Sequence, residues 1–277
     1  MTTRHVTVGV DGSLIAVQAL DRAAEEAVLR GAVLEIVYAV PDLDEAGPVL
    51  ASAASRVRDR HPGLPVTTSA FEGGPVQALA QHGRGAELTV VGTRGLGGIG
   101  GLLFGSVSLR LAAHTRGPLL VVRGNHQSAG RGEVLLGLES DADADAAAFA
   151  FAEAERREAR LRVLHAWSHR HQVPELPALV PSGQVENDAR RQAWTELAVP
   201  RFAVAAGPRQ QYHQFGKTRT IHTGLAHALL ESTRGAAVVV VSAHGCPQRC
   251  GRRLGPVASA LLHHSHCPVV VVPAGTA

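Results

Sequence analysis

Short apolar runs alternate along this chain with stretches in which apolar residues return every three or four positions. The first run, His5 to Val10, is followed by Ala16, Ala19, Leu20, Ala23 and Ala27, which predicts a strand and then a helix from about Leu14 to Arg30. Gly31 supplies the stop. Val33 to Val40 is apolar almost throughout, as strands covered on both faces are. After a looser segment from Pro41, the residues Leu50, Ala53, Ala54 and Val57 mark a second helix, and Val66 to Ala70 a third strand. A turn at Gly73-Gly74-Pro75 opens a short helix to His82. A fourth strand, Leu88 to Gly92, leads through a glycine-rich loop to a helix at Ser106 to His114, and Pro118 to Val122 forms a fifth strand. Such alternation predicts a parallel, doubly wound sheet, in which ligands bind beyond the carboxyl ends of the strands. Asp11 closes the first strand and Gly92 the fourth, so both face one crevice if those strands are neighbours.

The pattern then starts again. Strand Glu133 to Leu138, helix Ala142 to Ala159 and strand Leu161 to Trp167 precede an insertion, His169 to Pro208, with a helix carrying Val185, Ala189, Ala193 and Leu197. Strand Gln211 to Phe215, helix Gly224 to Thr233, strand Ala236 to Val241, helix Val257 to His266 and strand Pro268 to Val272 complete it. Gly245, Gly255 and Pro268 each lie 150 positions after Gly95, Gly105 and Pro118, so the chain is a tandem duplication. The fold class expected is α/β: two tandem doubly wound open parallel five-stranded sheets. The first domain covers 1–124, a polar glycine-containing linker 125–132, and the second domain 133–277.

Composition narrows the class. Of 277 residues, 45% are hydrophobic and 18% charged, which supplies packed cores and argues against disorder. The net charge of +3 comes with scattered arginines, too diffuse for a nucleic-acid surface. No apolar run reaches the roughly 18 residues of a membrane span. The N-terminal MTTRHVTVGV enters a strand at once, without room for a signal peptide, so the expected location is cytoplasmic. Three cysteines, all near the C-terminus, do not make a secreted disulfide framework.

The chemistry concentrates in the loop after the fourth strand. Glycines there let the backbone approach an anion, and the free N–H groups of the following helix start can hold phosphate. No lysine follows Gly105, so this is not a Walker loop. Gly92, two residues, Gly95, nine residues, then Gly105-Ser106 gives G-x2-G-x9-G-[ST], and with its flanking strand and helix the stretch resembles the universal stress proteins, whose ATP-binding members carry that motif. The resemblance implies that Asp11 meets the adenine or ribose and Ala39 the base. It places the phosphates against Gly92, Arg94, Gly95, Gly105, Ser106, Val107 and Ser108. The residues support this in their own right: Ser106 and Ser108 offer hydroxyls to phosphate or Mg2+, and Arg94 a charge partner. A turn role for Asp11 and a solvated loop role for Arg94 stand as alternatives.

The second copy departs from the motif. Ser242 replaces the first glycine, Pro256 the serine after Gly255, Ala258 stands for Ser108 and Glu139 for Asp11, so its site is expected to be empty or altered. Its loop carries His244, Cys246, Arg249, Cys250, Arg252 and Arg253. Those arginines could hold another anion. Zinc ligation completed by His263, His264 or Cys267, a redox-sensing thiol, and reduced cysteines without special role are the further readings. Asp141, Asp143 and Asp145 sit where a helix begins and favour its dipole; a metal-binding acidic loop is the other reading.

The expected function is an ATP-binding stress protein in which the nucleotide, carried with Mg2+, acts as a regulatory ligand of the first domain. No catalytic residues are assigned, because no nucleophile–base arrangement is present. A slow ATPase and a nucleotide-independent or cyclic-AMP-binding scaffold are the rivals. Neither nucleic acid nor membrane is expected as a partner, whereas a protein partner and a homodimer are left open. Family members commonly pair domains through their last strands. Pro118 to Val122 and Pro268 to Val272 are apolar enough to do so within the chain.

Overall fold

The computed structural model describes residues 4–93, 106–123, 132–166, 219–221, 225–243 and 254–273. β1 (His5–Val10) turns through Gly12, whose φ of +79° suits a residue without a Cβ, into α1 (Leu14–Arg30). Ser13 caps that helix, its hydroxyl accepting the Ala16 N–H at 3.2 Å. At the far end Gly31 is left-handed, and the Ala32 N–H reaches back to the Ala27 carbonyl at 3.0 Å. The first half continues with β2 (Val33–Val40), α2 (Ala46–Arg60), β3 (Val66–Glu72), α3 (Pro75–His82), β4 (Leu88–Gly92), α4 (Ser106–His114) and β5 (Leu119–Val122).

The second half repeats the series: β6 (Glu133–Leu138), α5 (Ala144–Arg156), β7 (Leu161–Ala166), β8 (Arg219–Ile221), α6 (Leu225–Ser232), β9 (Ala236–Ala243), α7 (Pro256–His264) and β10 (Val269–Pro273). α5 starts later than the sequence predicts because Ser140 first caps a short 3-10 turn, Asp141–Asp143. The expected strand Gln211 to Phe215 and the insertion helix through Val185 fall outside the described residues, as does the linker apart from Gly132. Arg219–Ile221 occupies the third-strand position. Arg219 pairs with Leu164 as Ser69 pairs with Val37, and Arg219 follows Ser69 by 150 positions.

The strand order is β3-β2-β1-β4-β5-β10-β9-β6-β7-β8. Each half thus has its first and fourth strands side by side, and its neighbours are parallel. The two five-stranded sheets are not separate. β5 and β10 pair antiparallel, with Leu120 opposite Val270, and merge the halves into one ten-stranded sheet. This is the pairing of last strands that the apolar runs at 118–122 and 268–272 suggested.

Helices cover both faces. α1, α2 and α5 pack with Val6, Val8, Val134, Val238 and Val270 in one apolar cluster. α3, α4, α6 and α7 pack with Val91, Leu119, Val239 and Val269 in another. Both clusters run through the seam, so strands β5 and β10 are fully covered and read as unbroken aliphatic segments.

Candidate functional site

The register of β1 against β4 matches Val6 with Leu88 and Val8 with Val90, which carries Val10 to the level of Gly92. Asp11 therefore leaves β1 beside the end of β4. This is the point where strand order reverses and a crevice opens in such sheets. Asp11 is half-buried, and its Oδ1 accepts the Ser13 N–H at 3.0 Å, so the turn role and the rim position coexist in one residue. Ala39 sits near the end of β2, paired with Phe71 of β3, one strand further out. α4 begins at Ser106, with Val107 half-buried against the second apolar cluster and Ser108 buried at 1% exposure. Arg94, Gly95 and Gly105 lie outside the described residues.

Gly92 has a packing reason that the sequence did not disclose. A Cβ built there would stand 2.7 Å from Ile15 Cγ2 and 3.2 Å from the Ile15 carbonyl oxygen. The glycine lets the first turn of α1 lie directly on the end of β4. That contact holds Asp11 and the start of α1 against the crevice.

The second half is built differently at the equivalent place. Asp143 is buried, and its Oδ2 accepts the Glu139 N–H at 2.6 Å and the Ser140 N–H at 2.9 Å. A carboxylate thus occupies backbone donors just beyond β6, at the place equivalent to Asp11. Its role is to cap the short turn that opens at Ser140. α7 opens with Gly255 as an N-cap that has no side-chain hydrogen bond, followed by Pro256, which has no N–H to give. Ala258, in the place of Ser108, is buried at 1% exposure.

Among the described residues no group of three or more His, Cys, Asp or Glu side chains stands close enough to hold a metal ion. Of the late cysteines, Cys267 is buried in the second apolar cluster with its thiol 3.6 Å from Ser265 Oγ, while Cys246 and Cys250 lie outside the described residues. Burial pushes the Cys267 thiol up to about 11, against an opposing hydrogen bond with Ser265. In the folded protein at pH 8, Cys267 is expected to resist alkylation and to react only after urea unfolding; peptide mass mapping checks this. His82, one of the fifteen histidines, is likewise engaged structurally, its Nδ1 2.8 Å from Glu35.

The repeated 3-2-1-4-5 strand order, with its reversal beside the first strand of each half, and the shared seam define a tandem open α/β protein. A sequence profile described as the universal stress protein family matches residues 2–60, 50–123 and 131–273. The chain belongs to the universal stress protein family. A universal stress protein of Mycolicibacterium smegmatis is 30% identical, the match covering 98% of this chain and 97% of that protein. One from Mycobacterium tuberculosis is 29% identical across 96% of both. The fold is shared with a protein of unknown function from Pseudomonas aeruginosa, with a TM-score of 0.71 and 16% identity over 98% of this chain and 93% of that one. It is also shared with a universal stress protein from Archaeoglobus fulgidus, with a TM-score of 0.64 and 13% identity over 99% and 100%.

Proposed function

We propose that this protein binds ATP in its first half as a regulatory ligand in a stress response. In this reading the units are 1–124 and 133–277, joined by 125–132, and the working compartment is the cytoplasm. The observation that carries it is the adjacency of β1 and β4, which sets Asp11 beside Gly92 where the full G-x2-G-x9-G-S motif begins. The ribose and base lie toward Asp11 and Ala39, and the phosphates toward Gly92, Arg94, Gly95, Gly105, Ser106, Val107 and Ser108. The donors fit a magnesium ion that arrives on the triphosphate, since a hard cation of this kind is held largely by phosphate and water oxygens. The Ser106 and Ser108 hydroxyls are the protein groups that would complete its shell. Magnesium would supply charge neutralisation of the phosphates.

The second half contributes no site of this kind. Ser242 stands where the first glycine would, Ala258 lacks the hydroxyl of Ser108, and Pro256 removes a donor and a hydroxyl from the helix start. The loss of two or three charge-assisted hydrogen bonds, each worth about 1.5–3 kcal/mol, weakens such binding by several powers of ten.

Equilibrium dialysis of the purified chain with Mg-ATP, AMP and cyclic AMP tests the reading. One ATP per chain is expected, abolished by Gly105→Asp and retained by Gly255→Asp, with no phosphate release above the Gly105→Asp background. No binding, binding lost only in Gly255→Asp, or a clear preference for cyclic AMP would overturn it.

A further inference from the structure

The last turns of α1 and α5 meet across the seam, on the face of the sheet that also carries α2. Glu26 and Arg30 stand one turn apart on α1, and Glu153 and Arg157 one turn apart at the end of α5. Arg30 donates to Glu26 in its own helix and, at 2.6 Å, to Glu153 across the seam. Arg157 donates to Glu153 in its own helix, at 2.7 Å through Nε, and to Glu26 across the seam. The four groups close a ring of alternating sign. Three of the side chains are 1% exposed, and that of Arg157 is 11% exposed. Two further arginines lean on it, the buried Arg22 on Glu26 at 3.0 Å and Arg156 on Glu153 at 3.5 Å.

The ring has two-fold character in sequence as well as in space. Each helix supplies Glu-x3-Arg, and the two copies are 127 positions apart. The strands beneath share that symmetry: Leu120 faces Val270, and Leu119 and Val121 face Val271 and Val269, so a pseudo-dyad passes through the Leu120–Val270 pair. A surface related to its partner by a two-fold axis is complementary to itself. Each half's seam therefore fits the other half of the chain and also the same half of another copy.

We propose that the Glu26–Arg30–Glu153–Arg157 ring is the pairing code of the seam, and that the seam's alternative partner is the matching half of a second copy of this chain. Buried ion pairs add little net stability, but a mismatch between them is heavily penalised, so they act on the choice of partner. In the native chain both helices present the same order of charge. Pairing within the chain wins because the halves are tethered at high effective concentration. Reversing the order in one helix sets like charges against each other within the chain. Each half still matches its own kind, so the preferred pairing moves between chains.

The test uses the full chain with Arg22→Gln and Arg156→Gln throughout, so that neither flanking arginine faces a reversed partner. Onto this background are placed E153R/R157E, reversing α5 alone, and E26R/R30E/E153R/R157E, reversing both helices. Mass in solution by sedimentation velocity and the thermal unfolding midpoint are read for all three. The background and the doubly reversed chain are expected to share one mass and nearly one midpoint, while reversing α5 alone doubles the mass. If the α5 variant fails to fold, recovery of fold and mass in the doubly reversed chain still supports the code. An α5 variant with unchanged mass and midpoint would overturn it, and so would a doubly reversed chain as damaged as the singly reversed one.

Discussion

Replacing Glu26 with glutamine is expected to cost the folded protein about 3–5 kcal/mol, because the arginines it neutralises stay buried when its charge is removed. Glu26 is fully buried and faces Arg22, Arg30 and Arg157. Burial alone pushes its carboxyl up. The pull of Arg157, then Arg22, then Arg30, outweighs that and brings it from 4.5 down to about 2. A depressed carboxyl contributes stability that is complete above its unfolded value and is lost as pH falls through its folded value. The window runs from about 4.5 down to about 2, and the stability at stake across it is about 3 kcal/mol. Urea midpoints of the native chain and Glu26→Gln should be far apart at pH 7 and converge as pH approaches 2. A gap that stays constant over that range would refute the charge account.

Gly92→Val is expected to destabilise the first half by about 1–3 kcal/mol, the usual cost of forcing extra methyl groups into a packed contact. The cause is local. The new Cβ would meet Ile15 Cγ2 at 2.7 Å and the Ile15 carbonyl at 3.2 Å, so the first turn of α1 must move off β4. Because Asp11 and the Ser13 cap precede that turn, the crevice is displaced along with it. Thermal unfolding should show a lowered midpoint for Gly92→Val without any nucleotide present. Adding Ile15→Ala should recover part of the loss by removing the side-chain contact, while the carbonyl contact remains. If stability is unchanged and only nucleotide affinity falls, Gly92 serves the ligand alone.

Much of the fold was legible because duplication doubles every signal. The valine runs, the Gly31 stop and the landmarks 150 positions apart located nearly all the elements. The strand at Arg219–Ile221 was not read because three residues opening on an arginine carry no apolar run. The same spacing carried back from Gly245 would have led from Phe71 to Ile221, where β8 lies. The crevice was readable through Asp11 and Gly92 because each ends a strand, and their adjacency needed only the strand order. The Ile15 contact was hidden, since a glycine that accommodates a neighbouring helix looks in sequence like one that admits a ligand. The ionic ring was missed for a related reason. Glu26 and Arg30 have the spacing of a solvated helix pair, yet they share α1's buried face with Ala19, Ala23 and Ala27. The recurrence of Glu-x3-Arg at Glu153 and Arg157 was the available clue.

The seam has one more effect, which bears on how the two copies can drift apart. In a true homodimer the residue on the two-fold axis confronts its own twin, so a bulky side chain at that point is always met by an equally bulky one. Here Leu120, on the pseudo-dyad, lies opposite the smaller Val270, an arrangement closed to two identical strands. Fusion lets the two strands adjust size against one another by separate substitutions. The C-terminal copy can then change away from the seam and still be kept, because β10 covers the edge of β5.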